Sequence, residues 1–452
     1  MKNKISLFFN NTKGAAALVL AAVILICSVN LTVFGAKPSV SAGAAILIDA
    51  NTGNVLFEKN AEKKMYPAST TKIMTALVAL DAVKNQEISL SQPLTLSEAA
   101  YKTLDPDGSS IALKVGETMT LEGLLQGLLI ASGNDAAVTI AEGVGGTTEQ
   151  FVARMNEKAK ELGLENTHFV NPHGLHNDQH YTTAHDMARL AQQAMKNDTF
   201  RSIVECAHIY LPETNMSDKR YFINTNNLVS RMRYPYYFYE YATGIKTGST
   251  DQAGYCLVSS AEKSGKSVIA VVFDAEDIAI SHNESKAILE HGLNDFTLKT
   301  LAKRDDIFGE AKVKHAADGT DHILLSAKEN LDALFPNEGD LEKIEVQCEI
   351  PEKVYAPISA GQAVGTAKFI YEGNEVGQVD LCSTVEVKRH FLGFLFSFGE
   401  WIWSFKAVKF VVYTALALVV AFVALVIIGF SRAIKKSKRK KRRMSRYNPP
   451  KY

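Results

Sequence analysis

The chain has 452 residues, a length that exceeds what one core usually serves and implies two or three folded units. Its 49 basic and 49 acidic side chains cancel, but residues 431–452 hold 11 Lys and Arg and no acid, leaving 33 basic against 49 acidic residues between Lys37 and Glu400. The middle is therefore acidic, and the basic charge sits at the ends. Five cysteines, with no CxxC and no metal-ligand spacing, give no support to a disulfide framework or a zinc site, so neither a metal nor any other cofactor is expected.

Residues 14–34, GAAALVLAAVILICSVNLTVF, follow a lysine-bearing start, as a signal sequence or N-terminal anchor over 1–36 would. Residues 44–60 promise two short strands joined at Asn51-Thr52-Gly53. A helix over 70–84 is apolar nearly all round, which implies burial mid-domain. LEGLLQGLLIASGNDAAVTIAEGV (121–144) is helical with a break at Ser132-Gly133-Asn134, and 151–164 is a further helix. Strand chemistry follows over 239–274, with a run around Ile245 and two runs about Ser264-Gly265. A helix is expected over 283–302.

From about 306 to 388 short β-like runs alternate with Gly, Pro and Asn, the pattern of a separate small β domain at 304–389. Cys348 and Cys382 fall there and are compatible with a pair or with two free thiols. Residues 390–409, rich in aromatics, suit a bilayer surface. Residues 410–430 are 21 in a row without a charge, the length of a transmembrane helix, with Trp401 and Trp403 ahead of them as interfacial aromatics would stand. The basic tail at 431–452 then belongs in the cytoplasm by the positive-inside rule, placing residues from about 37 to 400 outside. Its position directly behind a span favours this topology over binding of nucleic acid.

Serine attack on an acyl group needs a hydroxyl, a base to take its proton and donors aimed at the developing oxyanion. Ser69 and Lys72 have the i, i+3 spacing that puts hydroxyl and amine on one helical face. Alone the spacing is weak, because Ser260–Lys263 and Ser437–Lys440 share it and a helix cap beside a solvated lysine explains most such pairs. What sets Ser69 apart is company in order: Ser132-Gly133-Asn134, then Lys246-Thr247-Gly248. The series S-x-x-K, S-x-N, K-T-G is that of class A β-lactamases and penicillin-binding proteins. Five histidines, His168, His173, His176, His180 and His185, crowd one stretch, but their spacing matches no common metal motif.

The blocks YPASTTKIMTALVAL, LLIASGNDAAVTIAE, NTHFVNPHGL, HYTTAHDMARLA, NTNNLV, GIKTGSTDQAGYCLVSSA and HNESKAILEHGLNDF resemble those of the serine D-alanyl-D-alanine carboxypeptidases, the low-molecular-mass penicillin-binding proteins of the S11 peptidases. The likeness runs over 44–300, and APISAGQAVGTAKF resembles part of that family's second domain. It implies an α+β fold: a β-lactamase/transpeptidase-like domain at 37–303, with an antiparallel sheet and a helical cluster, followed by the small β domain and the span. It also implies that Ser69 is acylated, with Lys72 as its base and Ser132 relaying a proton to the leaving amine. Asn134 would hold the substrate amide, and Lys246 and Thr247 the terminal carboxylate. Gly248 would let substrate lie against the strand, and the amides of Ser69 and Ser249 would form the oxyanion hole. The implied substrates are peptidoglycan stem peptides ending in D-Ala-D-Ala, with β-lactams as covalent inhibitors.

Two other functions compete. A class A-like β-lactamase would carry E-x-x-L-N, whereas Glu165-Asn-Thr-His-Phe169 lacks the Leu-Asn ending. A catalytically silent wall-binding module would not need all three motifs intact. The chain also departs from the resemblance, in its full span with a basic tail and in the aromatic insertion RMRYPYYFYEY at 231–241, suited either to shaping the acyl-donor groove or to covering it.

Overall fold

The computed structural model describes residues 37–390, 402, 403 and 405–444. The expected leader at 1–36, most of the aromatic segment and the end of the basic tail lie outside the described residues. The described chain divides into two compact units. One runs to Leu301 and takes in Leu331–Glu345 and Phe369–Gln378; the other holds Ala302–Asn330, Val346–Lys368 and the chain from Val379 on.

In the first unit β1 (Ala44–Asp49) and β2 (Val55–Lys59) form the expected pair about Asn51-Thr52-Gly53. Two ribbons follow, β3 (Pro93–Thr95) with β4 (Thr118–Thr120), and β5 (His208–Leu211) with β6 (Arg220–Ile223). Then come β7 (Ala242–Thr250), β8 (Gly254–Lys263) and β9 (Lys266–Ala275), which complete an antiparallel sheet in the order β2-β1-β9-β8-β7. Period-two alternation sends side chains to opposite faces. Ala44, Ile46 and Ile48 of β1 join one core with Val258, Ile269 and Val271. Ala45 and Leu47 join a second with Leu257, Val268 and Val272. Both faces are covered, which is why these strands are apolar without interruption.

The helices, in chain order, are α1 (Lys72–Lys84), the single turn α2 (Glu98–Tyr101), α3 (Leu121–Ile130), α4 (Asn134–Gly145), α5 (Thr148–Glu161), α6 (Ala184–Met195), α7 (Asp198–Val204) and α8 (Ile278–Asn294). Helix α1 is buried all round, from Ile73 to Leu80, and each Leu, Ile or Met removed from water there contributes about 1.5–3 kcal/mol. Ala68–Thr71 ahead of it form a 3-10 turn, so the helix starts two residues later than expected. The break between α3 and α4 falls at Ser132-Gly133, with Gly133 as the N-cap of α4. On the other face α8 packs Ile288, Leu289 and Leu293 into the second core.

The helix expected over 283–302 is corrected: α8 stops at Asn294, and Phe296–Ala302 is strand β10. Phe296, Thr297 and Thr300 suit a strand, and the partner that decides it, β13 (Leu331–Pro336), lies about thirty residues further on.

The second sheet comprises β11 (Ile307–Lys314), β12 (His322–Ala327), β14 (Glu345–Glu349), β15 (Lys353–Tyr355), β16 (Ala363–Tyr371) and β17 (Asn374–Ser383), in the order β14-β16-β17-β12-β11-β15. Cys348 and Cys382 are free thiols, the first exposed and the second buried. Finally α9 (Lys406–Met444) passes through the expected span and on into the basic segment. It is the one described helix long and apolar enough to cross a membrane. Phe410, Leu418 and Phe422 are about 70% exposed, an apolar surface that lipid would cover.

Candidate active site

Ser69 lies in the 3-10 turn that leads into α1. The turn is tied by its own hydroxyls: Thr70 Oγ1 donates to Pro67 O at 2.7 Å and Thr71 Oγ1 to Ala68 O at 2.8 Å. Ala68, just before the serine, has φ +47°, a left-handed conformation that costs energy in a residue with a Cβ. Ser132, on the turn two residues before Asn134, is held the same way at φ +61°. Backbone strain thus flanks both hydroxyls that the sequence singles out.

Lys72 begins α1 and is fully buried. Its Nζ lies 2.9 Å from Ser69 Oγ, 2.7 Å from Asn134 Oδ1 and 2.8 Å from the carbonyl oxygen of His173. Burial first, and then the charge of Lys246, holds its pKa well below the usual lysine range, with Asp135 acting weakly the other way. A neutral amine suits these neighbours. In that neutral form two N–H groups would satisfy Asn134 Oδ1 and His173 O, which can only accept, and the lone pair would be left for the hydroxyl of Ser69.

The His173 carbonyl is an acceptor that the sequence did not reveal. Asn171 shapes the loop that presents it, accepting from Gly174 N at 2.7 Å and donating to Leu175 O at 2.9 Å. Thr75 Oγ1 fastens the loop to α1 by donating to Pro172 O at 2.6 Å. Gly174, at φ +91°, lies directly on the serine turn, where an added Cβ would stand 1.8 Å from Ala68 O. His180 Nε2 is 2.8 Å from Thr71 Oγ1. Because that hydroxyl gives its hydrogen to Ala68 O, His180 donates from Nε2 while its Nδ1 accepts from Val170 N. Burial pushes His173 and His180 down to about 3, so both rings are neutral: His180 props the turn, and His173 Nδ1 accepts from Leu175 N in its own loop.

On the other side, Asp135 fixes the loop over the Ser132 turn by accepting from Ile111 N, Leu113 N and Ser110 Oγ. Asn134 N donates to Ser109 O at 2.8 Å. Strand β7, the edge of the sheet, carries Lys246, Thr247, Gly248 and Ser249. Gly248 has no room for a side chain, since a Cβ would stand 2.8 Å from Ser69 N and 3.0 Å from Thr70 N. Lys246 is buried, donates to Thr247 O at 2.9 Å, and is lowered by burial to about 7. Thr247 Oγ1 donates to Thr225 Oγ1 at 2.8 Å. Ser249 is exposed at the strand's outer end.

Lys72 therefore touches both Ser69 and Asn134 directly. Gly248 lies against the serine's backbone, and Lys246 is near enough to depress the pKa of Lys72. Cys256 packs in the first core, and among the described residues no cluster of His, Cys, Asp and Glu could hold a metal.

A buried amine within hydrogen-bond distance of a hydroxyl, beside a sheet edge that carries a second lysine, is an arrangement suited to activating a serine. Residues 32–277 match the family described as D-alanyl-D-alanine carboxypeptidase, peptidase S11, and residues 296–389 match the C-terminal domain of penicillin-binding protein 5. The chain belongs to this S11 family and is a serine-type carboxypeptidase. It is 35% identical over 362 residues to D-alanyl-D-alanine carboxypeptidase DacF of Bacillus subtilis, covering 80% of this chain and 90% of that one. It is also 35% identical over 379 residues to DacC of Escherichia coli, covering 82% and 89%. The crystal structure of penicillin binding protein 5 from Haemophilus influenzae superposes with a TM-score of 0.66 at 27% identity, over 78% of this chain and 99% of that one.

Proposed function

We propose that the enzyme removes the terminal D-alanine from peptidoglycan stem peptides ending in D-Ala-D-Ala through an ester formed at Ser69. Ser69 Oγ attacks the carbonyl carbon between the two alanines while Lys72 takes the hydroxyl proton. The amides of Ser69 and Ser249 stabilise the oxyanion. The C–N bond then breaks, Ser132 relaying a proton to the departing amine, and water later cleaves the ester. Asn134, its Oδ1 already bound to Lys72, offers Nδ2 to the substrate amide. Lys246 and Thr247 receive the terminal carboxylate on a strand edge that Gly248 keeps open. A β-lactam would be trapped at the first stage as a covalent acyl group. The observation that carries this reading is the buried Lys72 amine, 2.9 Å from Ser69 Oγ and held there by Asn134 Oδ1 and the His173 carbonyl.

The domain limits set out from the sequence, 37–303 and 304–389, remain the proposed organisation, with α9 as membrane anchor, the catalytic unit outside and the basic tail in the cytoplasm. The test is to incubate the full chain in detergent with a pentapeptide ending in D-Ala-D-Ala and measure free D-alanine. Stoichiometric D-alanine is expected, and peptide binding without release would favour a silent wall-binding module instead.

The two lysines also set a pH profile. For a carboxylate-ended peptide, kcat/KM reports the free enzyme. It is expected to rise as Lys72 loses its proton and to fall through about 7 as Lys246 loses its own. Bound carboxylate keeps Lys246 charged, so kcat should not fall at that pH. A kcat/KM that is level from pH 6 to 9 would remove Lys246 from carboxylate recognition.

A further inference from the structure

Helix α9 does not stop where its apolar run ends. It continues unbroken past Phe430 to Met444, through a stretch in which no acid stands among the lysines and arginines. Arg432, Lys435, Lys436 and Arg439 fall at i, i+3, i+4 and i+7, a spacing that gathers four cations on one face of the helix. Ala433, Ile434 and Ser437 occupy the opposite side, so the face is a stripe rather than a uniform coat of charge.

All four side chains are exposed. Cations elsewhere in the chain sit beside carboxylates, as Lys102 does with Glu98 at 2.7 Å and Lys158 with Asp81 at 2.8 Å, whereas among the described residues these four join no ion pair. Like charges three and four apart repel along a helix, and an anion from outside the chain would relieve that. The rise of about 1.5 Å per residue puts Arg432 about 3 Å and Arg439 about 14 Å past Phe430. In an α-helix every Cα–Cβ bond leans toward the N-terminus. For α9 that direction is the apolar run, so the long stems lean back toward the bilayer surface and carry their charges to headgroup depth. Most of the stripe then stands within the 8–10 Å or so over which charges act on one another at physiological salt. A nucleic acid would have to approach the same face past the headgroups.

We propose that the face made by Arg432, Lys435, Lys436 and Arg439 is a binding site for the phosphate headgroups of anionic phospholipids in the leaflet beside Phe430. The inference rests on the reading of α9 as membrane anchor. Guanidinium groups grip a phosphate with two parallel hydrogen bonds, and the lysines between them add point charge. The basic segment then does more than fix which end of the chain stays inside: it chooses the lipid in which the enzyme resides.

The test reconstitutes the full chain in phosphatidylcholine vesicles containing a minority of phosphatidylglycerol. Electron spin resonance of spin-labelled phosphatidylglycerol and phosphatidylcholine gives the ratio of their association constants for the protein. The wild type is expected to favour phosphatidylglycerol about tenfold, a preference that shrinks at high salt. The combined variant Arg432→Gln, Lys435→Gln, Lys436→Gln and Arg439→Gln should lose it. A second variant keeps the net charge but breaks the face by exchanging neighbours: Arg432→Ala with Ala433→Arg, and Lys436→Ser with Ser437→Lys. It should lose most of the preference while still floating with the vesicles. An exchanged variant with the wild-type ratio would mean that the charges act as a diffuse cloud, and the site is dismissed. A wild type that floats without preferring either lipid overturns this inference alone, the more so if it shifts transfer RNA at physiological salt. A wild type that does not float overturns the anchor reading and this one with it.

Discussion

Lys72→Met is expected to slow acylation by a fluorescent penicillin about 10⁴-fold, and Ser69→Ala to abolish labelling altogether. The first figure is the upper range for loss of a general base positioned on its nucleophile. Methionine matches the buried volume of the lysine stem, so α1 should keep its packing. The variant leaves Asn134 Oδ1 and the His173 carbonyl without their donor, at about 1–3 kcal/mol each, but it also removes an amine held entirely away from water. Stability should therefore change far less than rate, and single-turnover labelling beside a thermal melt separates the two. Labelling of Lys72→Met within tenfold of wild type would mean that another group takes the serine's proton.

Gly174→Ala should be nearly as damaging, though residue 174 touches no substrate. The new methyl would stand 1.8 Å from Ala68 O, and the backbone there sits at φ +91°, where alanine is strained. Either the loop lifts, drawing the His173 carbonyl away from Lys72, or the turn shifts and takes Ser69 with it. Destabilisation of roughly 3–5 kcal/mol is expected, seen as a melting point lower by about 10 °C. Acylation should also drop at least a hundredfold at temperatures where the variant is folded, because a displacement of about 1 Å at a reacting group has that effect. A variant with wild-type rate and melting point would show that the contact between loop and turn is dispensable.

The part of the site written in side chains was legible before the structure. Ser69 and Lys72, Ser132 and Asn134, and Lys246 through Gly248 are short motifs whose residue types state their chemistry. The hairpin at 51–53, the break at 132–134 and the strands around Ser264-Gly265 were equally plain, because turn residues and apolar periodicity are local signals. What escaped depends on chain brought from a distance. The His173 acceptor is a main-chain oxygen, which leaves no mark in a side-chain alphabet. Gly174 was visible as a glycine, but not as one pressed against Ala68. Residues 296–302 look helical in continuation of α8, and only pairing with Leu331–Pro336 makes them a strand. The return of Leu331–Glu345 and Phe369–Gln378 to the first unit is likewise beyond any reading along the chain.

The arrangement around Lys72 bears on what happens after the first product leaves. On the proposed pathway an esterified Ser69 would have no hydrogen to offer, and the amine would lose the single donor among its three neighbours. Any newcomer with an O–H or N–H would then be able to occupy that place and be deprotonated on arrival, so the proposed base would not itself discriminate hydrolysis from cross-linking. On that pathway the partition between them would fall to whichever nucleophile reached the ester first.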